Sequence, residues 1–174
     1  IARDGGRTRL VKIMNGNPLS IPITFNDKVW QDSYISDIGV FTELKYNINP
    51  KIVFTAGMRY DNVTTDIQDP EADFESMYNL GKRTEHNVSG TVSIKNRVSD
   101  HFTLEVAYGR GIRSANMIER FINHFTVGQD PYEYVGNPNL SAEVNNQFEI
   151  GLKGNYPLKN GFNNFNSWDL DIYQ

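Results

Sequence analysis

The stretch IVFTAGMRYD, residues 52–61, decides the fold class, because apolar or aromatic side chains stand at every second position along it. In an extended chain, successive side chains point to opposite faces. One face here carries Ile52, Phe54, Ala56, Met58 and Tyr60, and the other carries Val53, Thr55, Gly57, Arg59 and Asp61. This period of two predicts a β-strand, since an amphipathic helix repeats its apolar residues every three or four positions.

The same alternation recurs on both sides of this stretch. It predicts strands near residues 34–47, 51–65, 84–96, 102–113, 143–156 and 164–174. Their connections alternate between short and long, so an antiparallel arrangement places the short turns at one end of the sheet and the long loops at the other, as in barrels of bacterial outer membranes. We therefore predict an all-β fold, an antiparallel up-and-down meander of about six strands, and this loop asymmetry favours part of a large transmembrane β-barrel over a soluble sandwich or jelly roll.

Composition excludes several classes of protein and site. The 174 residues carry a formal net charge of −4 and include no cysteine, which excludes disulfides, thiolate metal sites and cysteine nucleophiles. Lysine and arginine are spread along the chain, unlike the clustered basic surface of a nucleic-acid-binding protein. No run approaches the ~18 consecutive apolar residues of a membrane-spanning helix. That criterion does not detect barrel strands, because only their alternate residues are apolar.

Alternation alone does not decide what the apolar face contacts. A secreted soluble β-sandwich would turn it inward, whereas a membrane barrel turns it toward lipid. The loop asymmetry and two rows of aromatic residues at the strand ends favour the barrel. On that interpretation the lipid-facing residues are Val40, Leu44, Phe54, Met58, Val92, Leu104, Val106, Ile150, Leu152 and Leu170. The lumen-facing residues are Glu43, Lys45, Arg59, Asp61, Glu105, Glu149 and Lys153.

The first 33 residues lack a clear alternation. They are rich in turn signals, and Pro18 and Pro22 discourage a regular central strand. We predict that residues 1–33 form an irregular external loop that leads into a partial barrel of residues 34–174. The chain opens without methionine and ends within an apparent strand, so we expect it to be a piece of a longer protein.

The second long connection and its flanks resemble a known family. The segments YGRGIRSANMIERFI (108–122), YVGNPNL (134–140) and QFEIG (147–151) are similar to TonB-dependent outer-membrane receptors. The hairpin containing DIGVFTEL (37–44) and AGMRYD (56–61) resembles an earlier strand pair of that family. The form RSANMIERFI is most similar to the copper-receptor branch. The residues that match the family motif are Arg113, Glu119, Arg120, Phe121, Gly136, Asn137, Pro138, Leu140 and Glu143.

The resemblance implies a plugged barrel of 22 strands in the bacterial outer membrane. Such a receptor takes up a metal, a metal chelate or another scarce nutrient, and TonB drives uptake through a plug region. The implied partners are TonB, outer-membrane lipid and a small nutrient or metal ligand, without nucleic acid. A passive porin or structural outer-membrane protein remains an alternative. We expect Gly136, Asn137 and Pro138 to set where the next strand begins rather than to bind a ligand.

Residues suited to chemistry are few. The three histidines lie on different predicted segments and no serine lies in a nucleophile-elbow motif, so we predict no catalytic residues, no cofactor and no enzyme activity. Met117 and His124 are weak candidates for a copper site, with core packing of Met117 as the alternative. The acidic stretch that contains Glu71 and Asp73 could hold a hard cation, but a solvated loop is the favoured interpretation.

Overall fold

The computed structural model describes residues 2–126, 132–157 and 165–174. Seven strands form one antiparallel sheet in chain order. The strands are β1 (Ala2–Met14), β2 (Asn17–Asn49), β3 (Ile52–Asp69), β4 (Arg83–Arg97), β5 (Phe102–Arg113), β6 (Glu143–Pro157) and β7 (Phe165–Tyr173). The short helices are α1 (Ala72–Met77) and α2 (Met117–Phe121). The predicted antiparallel up-and-down meander is confirmed, with one strand more than the six that alternation indicated.

The interpretation of residues 1–33 as an irregular loop is wrong. They form β1 and the first half of β2, joined by a two-residue turn at Asn15 and Gly16, whose φ angles are 49° and 79°. Positive φ at both positions suits the twist of a β-hairpin, and Asn-Gly is the sequence that favours it. Pro22 is tolerated because the β1–β2 register shifts between Val11 and Ile13, which interrupts the ladder where it lies. Pro18 lies opposite Ile13, next to the turn.

Opposed residues of β4 to β7 form rows of one chemical character. Val106 of β5 lies opposite Ile94 of β4 and Ile150 of β6, and Ile150 lies opposite Ile172 of β7. Directly opposed residues of an antiparallel sheet share a face. The odd-numbered neighbours, such as Glu105, therefore share the other face. The register thus extends the alternation of single strands into two continuous faces.

The chain divides into two compact units. The loop unit comprises residues 1–38, 62–85 and 114–142 and contains β1, both helices and the parts of β2 and β3 nearest to them. The sheet unit comprises residues 39–61, 86–113 and 143–174.

The loop unit has a small apolar core, formed by Ile67, Phe74, Met117 and Phe121, with Trp30, Ile35, Tyr78 and Leu80 packed against it. Phe74 projects from α1 and is fully buried, and Phe121 of α2 is 2% exposed. The core thus includes side chains from both long connections. Both connections are long loops in the sequence-based prediction, which includes neither helix.

A capping box begins α2. The Asn116 side chain accepts hydrogen bonds from the backbone N–H groups of Ile118 and Glu119, at 2.9 and 3.0 Å, and the Glu119 side chain accepts one from the Asn116 N–H at 2.7 Å. These bonds satisfy N–H groups that the first turn of a helix leaves without partners. Within the described residues, neither helix has the length and apolar character needed to cross a membrane.

Candidate functional site

The residues predicted to face lipid share the apolar face of the sheet unit wherever the register is given. Leu104 lies opposite Leu152, which lies opposite Leu170, so three strands contribute to one row. Val92 lies opposite Tyr108, two rows further along the same face. Each of the ten predicted residues is exposed or half-buried, among them Val40 at 65%. The sheet unit therefore presents a broad apolar surface.

The opposite face of the sheet unit carries paired charges. Arg59 bonds Asp61 through two contacts, Nε to Oδ2 at 2.8 Å and Nη2 to Oδ1 at 2.5 Å. A side chain at position 39 would collide with both Arg59 and Asp61, so glycine at this position leaves room for the pair. Lys153 Nζ lies 3.2 Å from Asp169 Oδ2. In each of these pairs a positive side chain lies beside a negative one, so their charges balance on this face of the sheet.

The other predicted lumen-facing residues spread over the same face. Glu105 lies opposite Lys95, and Glu149 lies opposite Ala107 on the neighbouring strand. Glu43 and Lys45 are exposed on β2. The structure thus brings some of these residues into pairs and leaves others separated along the face.

An open groove of about 770 Å³ runs over this polar face. Its floor includes Gly57, Gly90 and Gly109, so the backbone is accessible there. Hydroxyl and amide side chains surround the glycines, together with Arg59 and Glu43. A hydrogen-bonding surface with few bulky side chains can contact another polar surface closely.

The family-motif residues of the loop unit meet around Arg120, whose side chain is wholly buried. Its Nε donates to the carbonyl of Ala115 at 3.1 Å, and its Nη1 donates to the carbonyl of Pro138 at 3.1 Å. Its Nη2 lies 2.6 Å from Glu85 Oε1. Ser114 Oγ also bonds Glu85, at 2.6 Å to Oε2. One arginine therefore links α2, the loop that follows it and the start of β4.

The Gly-Asn-Pro segment rests directly on α2. The N–H of Gly136 donates to the carbonyl of Ile122 at 2.7 Å, and that of Asn137 donates to the carbonyl of Glu119 at 2.8 Å. Leu140 N lies 3.3 Å from the Asn137 carbonyl, which continues the turn. The motif was predicted to set the start of the next strand, and the structure adds that it anchors the loop to α2.

Replacing Gly136 with alanine should lower the free energy of unfolding by about 1–3 kcal/mol, as overpacking in an interior does. An added Cβ would lie 2.7 Å from the carbonyl carbon of Arg120 and 2.8 Å from the nitrogen of Phe121. Both are backbone atoms that cannot rotate away. The measurement is denaturant unfolding of the protein in detergent. Gly111→Ala is the control, since its Cβ would meet nothing within 4 Å, and an equal loss in both variants would contradict the prediction.

The remaining motif residues, Arg113 and Glu143, form an exposed pair in the sheet unit. They are direct partners across β5 and β6, and Arg113 Nε donates to Glu143 Oε2 at 3.0 Å. Their side chains are 52% and 71% exposed. Such a pair contributes at most about 1 kcal/mol.

His124 lies among carboxylates of the loop unit. Its Nε2 is 3.0 Å from Asp73 Oδ2 and 3.6 Å from Glu71 Oε2, and its Nδ1 is 3.0 Å from Glu133 Oε2. Burial lowers the pKa of His124, but the hydrogen bond with Glu133 raises it, as do the nearby carboxylate charges. The net result is a raised pKa. In turn, the bond with His124 holds the pKa of Glu133 below its usual value.

His124 adopts an uncommon backbone conformation. Its φ is 50°, in the left-handed region that side chains other than glycine seldom occupy. The residue follows the fully buried Asn123, whose N–H donates to the carbonyl of Val29 at 2.9 Å. His124 is therefore held by its neighbours in a conformation that places it among the acidic side chains.

The proposed pairing of Met117 with His124 is not supported by their surroundings. Met117 is 7% exposed and belongs to the apolar core with Phe74 and Phe121, which agrees with the packing alternative. His124 instead joins Glu71 and Asp73 from the acidic stretch that was interpreted as a solvated loop.

Three polar residues of these clusters were not singled out from the sequence. Glu85 pairs with Arg120 across 35 positions, and Glu133 lies nine positions from His124. Asn123 donates to both Glu71 and Asp73. Single polar residues in separate segments form no periodic sequence pattern, so the sequence does not indicate which of them lie in contact. The adjacent family motif was the available indication that this part of the chain is structured.

Comparison with known proteins agrees with this architecture. The family model described as "TonB dependent receptor-like, beta-barrel" matches residues 6–174. The solved structure of "Copper transporter OprC" is similar over 74% of this chain and 19% of that chain, with a TM-score of 0.56 and 21% sequence identity. The chain therefore spans about a fifth of the length of that structure. The curated proteins include no match.

Proposed function

Because this chain belongs to the TonB-dependent receptor-like β-barrel family, we propose that it forms part of the wall and outer loops of a receptor for active nutrient uptake. The receptor would lie in the bacterial outer membrane, where receptors of this family act. The observation that carries the proposal is the pair of continuous faces on one antiparallel meander, one apolar and one polar and charged. A membrane barrel with a polar interior needs both.

The apolar face is assigned to lipid. Its rows include Leu104, Leu152 and Leu170, and their side chains are exposed or half-buried in the sheet unit. A soluble sandwich would cover such a face with a second sheet. The strands of the described residues form a single sheet instead, which favours lipid as the covering phase.

The polar face is assigned to the lumen. The groove that contains Gly57, Gly90 and Gly109 would lie against the plug or a passing substrate, and the Arg59–Asp61 pair would stay hydrated at its side. The wall performs no covalent chemistry in this mechanism. Capture would depend on the outer loops and plug, and TonB would supply energy through the plug region.

The proposed cargo is a metal, a metal chelate or another scarce nutrient. Copper is the first substrate to test, since the structure with the similar fold is that of a copper transporter. The sequence form around Arg120 is also most similar to the copper-receptor branch.

Uptake measurements test this function. Accumulation of radiolabelled copper, and then of other metals and chelates, is compared in cells with the receptor, cells lacking it and cells in which TonB is inactive. Uptake that needs both the receptor and TonB supports the proposal. Uptake that needs the receptor but continues without TonB would identify a passive porin and contradict active transport.

A further inference from the structure

The donor atoms around His124 are spaced like the ligands of a small divalent ion. Its Nε2 lies 3.0 Å from Asp73 Oδ2 and 3.6 Å from Glu71 Oε2, and the three residues offer ligand atoms within 4.8 Å of one another. A tetrahedral zinc ion with bonds of about 2.0–2.2 Å keeps its ligands roughly 3.3–3.6 Å apart. The spacing between His124 and Glu71 lies in that range, and the spacing between His124 and Asp73 is a few tenths of an ångström below it.

On His124 and Asp73, the side-chain atoms that would not contact the ion are already hydrogen-bonded. His124 Nδ1 lies 3.0 Å from Glu133 Oε2, which leaves Nε2 directed at the other two carboxylates. Asp73 Oδ1 accepts from the Phe74 N–H at 2.7 Å, which leaves Oδ2 toward His124. Metal-binding histidines and carboxylates are characteristically oriented by such bonds.

Glu133 is itself held in place. Arg7 Nη2 lies 2.6 Å from its Oε1, while Oε2 contacts His124. The carboxylate that orients the imidazole is therefore anchored to β1 by its second oxygen. The hydrogen bond between Glu133 and His124 therefore fixes the direction of the imidazole even when no ion is bound.

Asn123 supplies an independent indication. Its side chain is wholly buried and enters the cluster, with Nδ2 3.2 Å from Glu71 Oε2 and from Asp73 Oδ1. Its Oδ1 is buried without a hydrogen-bond partner among the residues that the structure describes. Buried polar atoms of this kind are rare. A half-turn of the amide would exchange the two hydrogen bonds of Nδ2 for an Oδ1 that is directed at the two carboxylates. A cation bound between these oxygens would offset their mutual repulsion.

We propose that Glu71, Asp73 and His124 bind a divalent transition-metal ion such as Zn²⁺, with Asn123 Oδ1 as a further ligand. An imidazole with carboxylates suits zinc and its neighbours in the first row better than calcium or magnesium. The ion would be a resident one that joins the start of α1 to the segment after α2, at the margin of the apolar core. This inference does not depend on which nutrient the receptor transports.

Zinc binding by the full-length receptor in detergent tests the site. The protein is stripped with EDTA and dialysed against Zn²⁺, and bound zinc is counted by mass spectrometry. His124→Asn removes the imidazole, and asparagine tolerates the left-handed conformation found there. The matched control is His101→Asn, which removes an imidazole from the β4–β5 turn. Wild type and control should each retain one more zinc ion than His124→Asn, or bind it at least tenfold more tightly.

Two further variants keep the test decisive if His124→Asn fails to fold. Asp73→Asn removes one ligand charge at constant size and should also lose the ion. Glu133→Gln removes the orienting carboxylate and should weaken binding roughly 10–100-fold. Zinc should raise the unfolding temperature of wild type and not of Asp73→Asn. Equal zinc binding in all variants, absence of zinc from wild type, or preference for Mg²⁺ over Zn²⁺ would overturn the proposal.

Discussion

Arg120→Ala is expected to lower the free energy of unfolding of the loop unit by about 3–5 kcal/mol, the usual cost of breaking a buried ion pair by removing one partner. The guanidinium is wholly buried, and the Glu85 side chain that it pairs with is 16% exposed. Truncation would leave that carboxylate without its cation. The carbonyls of Ala115 and Pro138 would also lose their side-chain donor.

Amide hydrogen exchange of the full-length receptor in detergent measures the loss of stability within the loop unit, segment by segment. Amides of α2 and of the Gly136 loop should lose protection, because Arg120 connects these segments. Arg113→Ala is the control, since Arg113 also pairs with a glutamate but is 52% exposed, and its loss should cost at most about 1 kcal/mol. Similar losses in both variants would show that burial does not set the strength of the Arg120 contacts.

Val92→Arg is expected to lower the free energy of unfolding from the membrane by about 2–4 kcal/mol, the cost of arginine on the lipid face near the bilayer midplane. Val92 lies near the middle of the β4 portion of the sheet unit, opposite Tyr108 on the apolar face. Ser93→Arg places the same charge one residue away, on the polar face opposite Ala107. In a hydrated lumen that change should cost less than about 1 kcal/mol.

Denaturant titration of the receptor in lipid vesicles compares these two variants at nearly the same depth. The difference between them reports which face meets lipid, because chain position and the introduced side chain are matched. Equal losses in the two variants would contradict the assignment of the two faces. A larger loss for Ser93→Arg would show that the polar face, rather than the apolar face, meets lipid.

The strands of the sheet unit could be predicted because their signal is local and repeated. Along β3, apolar or aromatic residues recur at every second position from Ile52 to Tyr60, which is the period of a half-covered strand, and turn residues separate the runs. The β1–β2 hairpin was missed although Asn15 and Gly16 carry the preferred turn sequence. Pro18 and Pro22 argue against a strand there, but Pro18 lies next to the turn and Pro22 lies where the register shifts. The sequence of a single strand does not reveal that shift.

The cluster around His124 could not be assembled from spacing. Glu71 and Asp73 precede α1 or begin it, whereas His124 follows α2 some fifty positions later, and a histidine beside a motif does not identify its partners. Met117 was the closer soft ligand along the chain, yet the helix directs it into the core. Distances between separate loops depend on how their apolar residues pack together.

The sequence by itself determined the strands from residue 34 onward, their alternating faces and the family, because period-two patterning and a motif in fixed order are properties of neighbouring residues. Tertiary structure alone decided that Arg120 is buried against Glu85, that Gly136 rests on α2, and that His124 meets two carboxylates. Those contacts join segments separated by long connections. Their formation depends on packing of the loop unit, which local propensity does not encode.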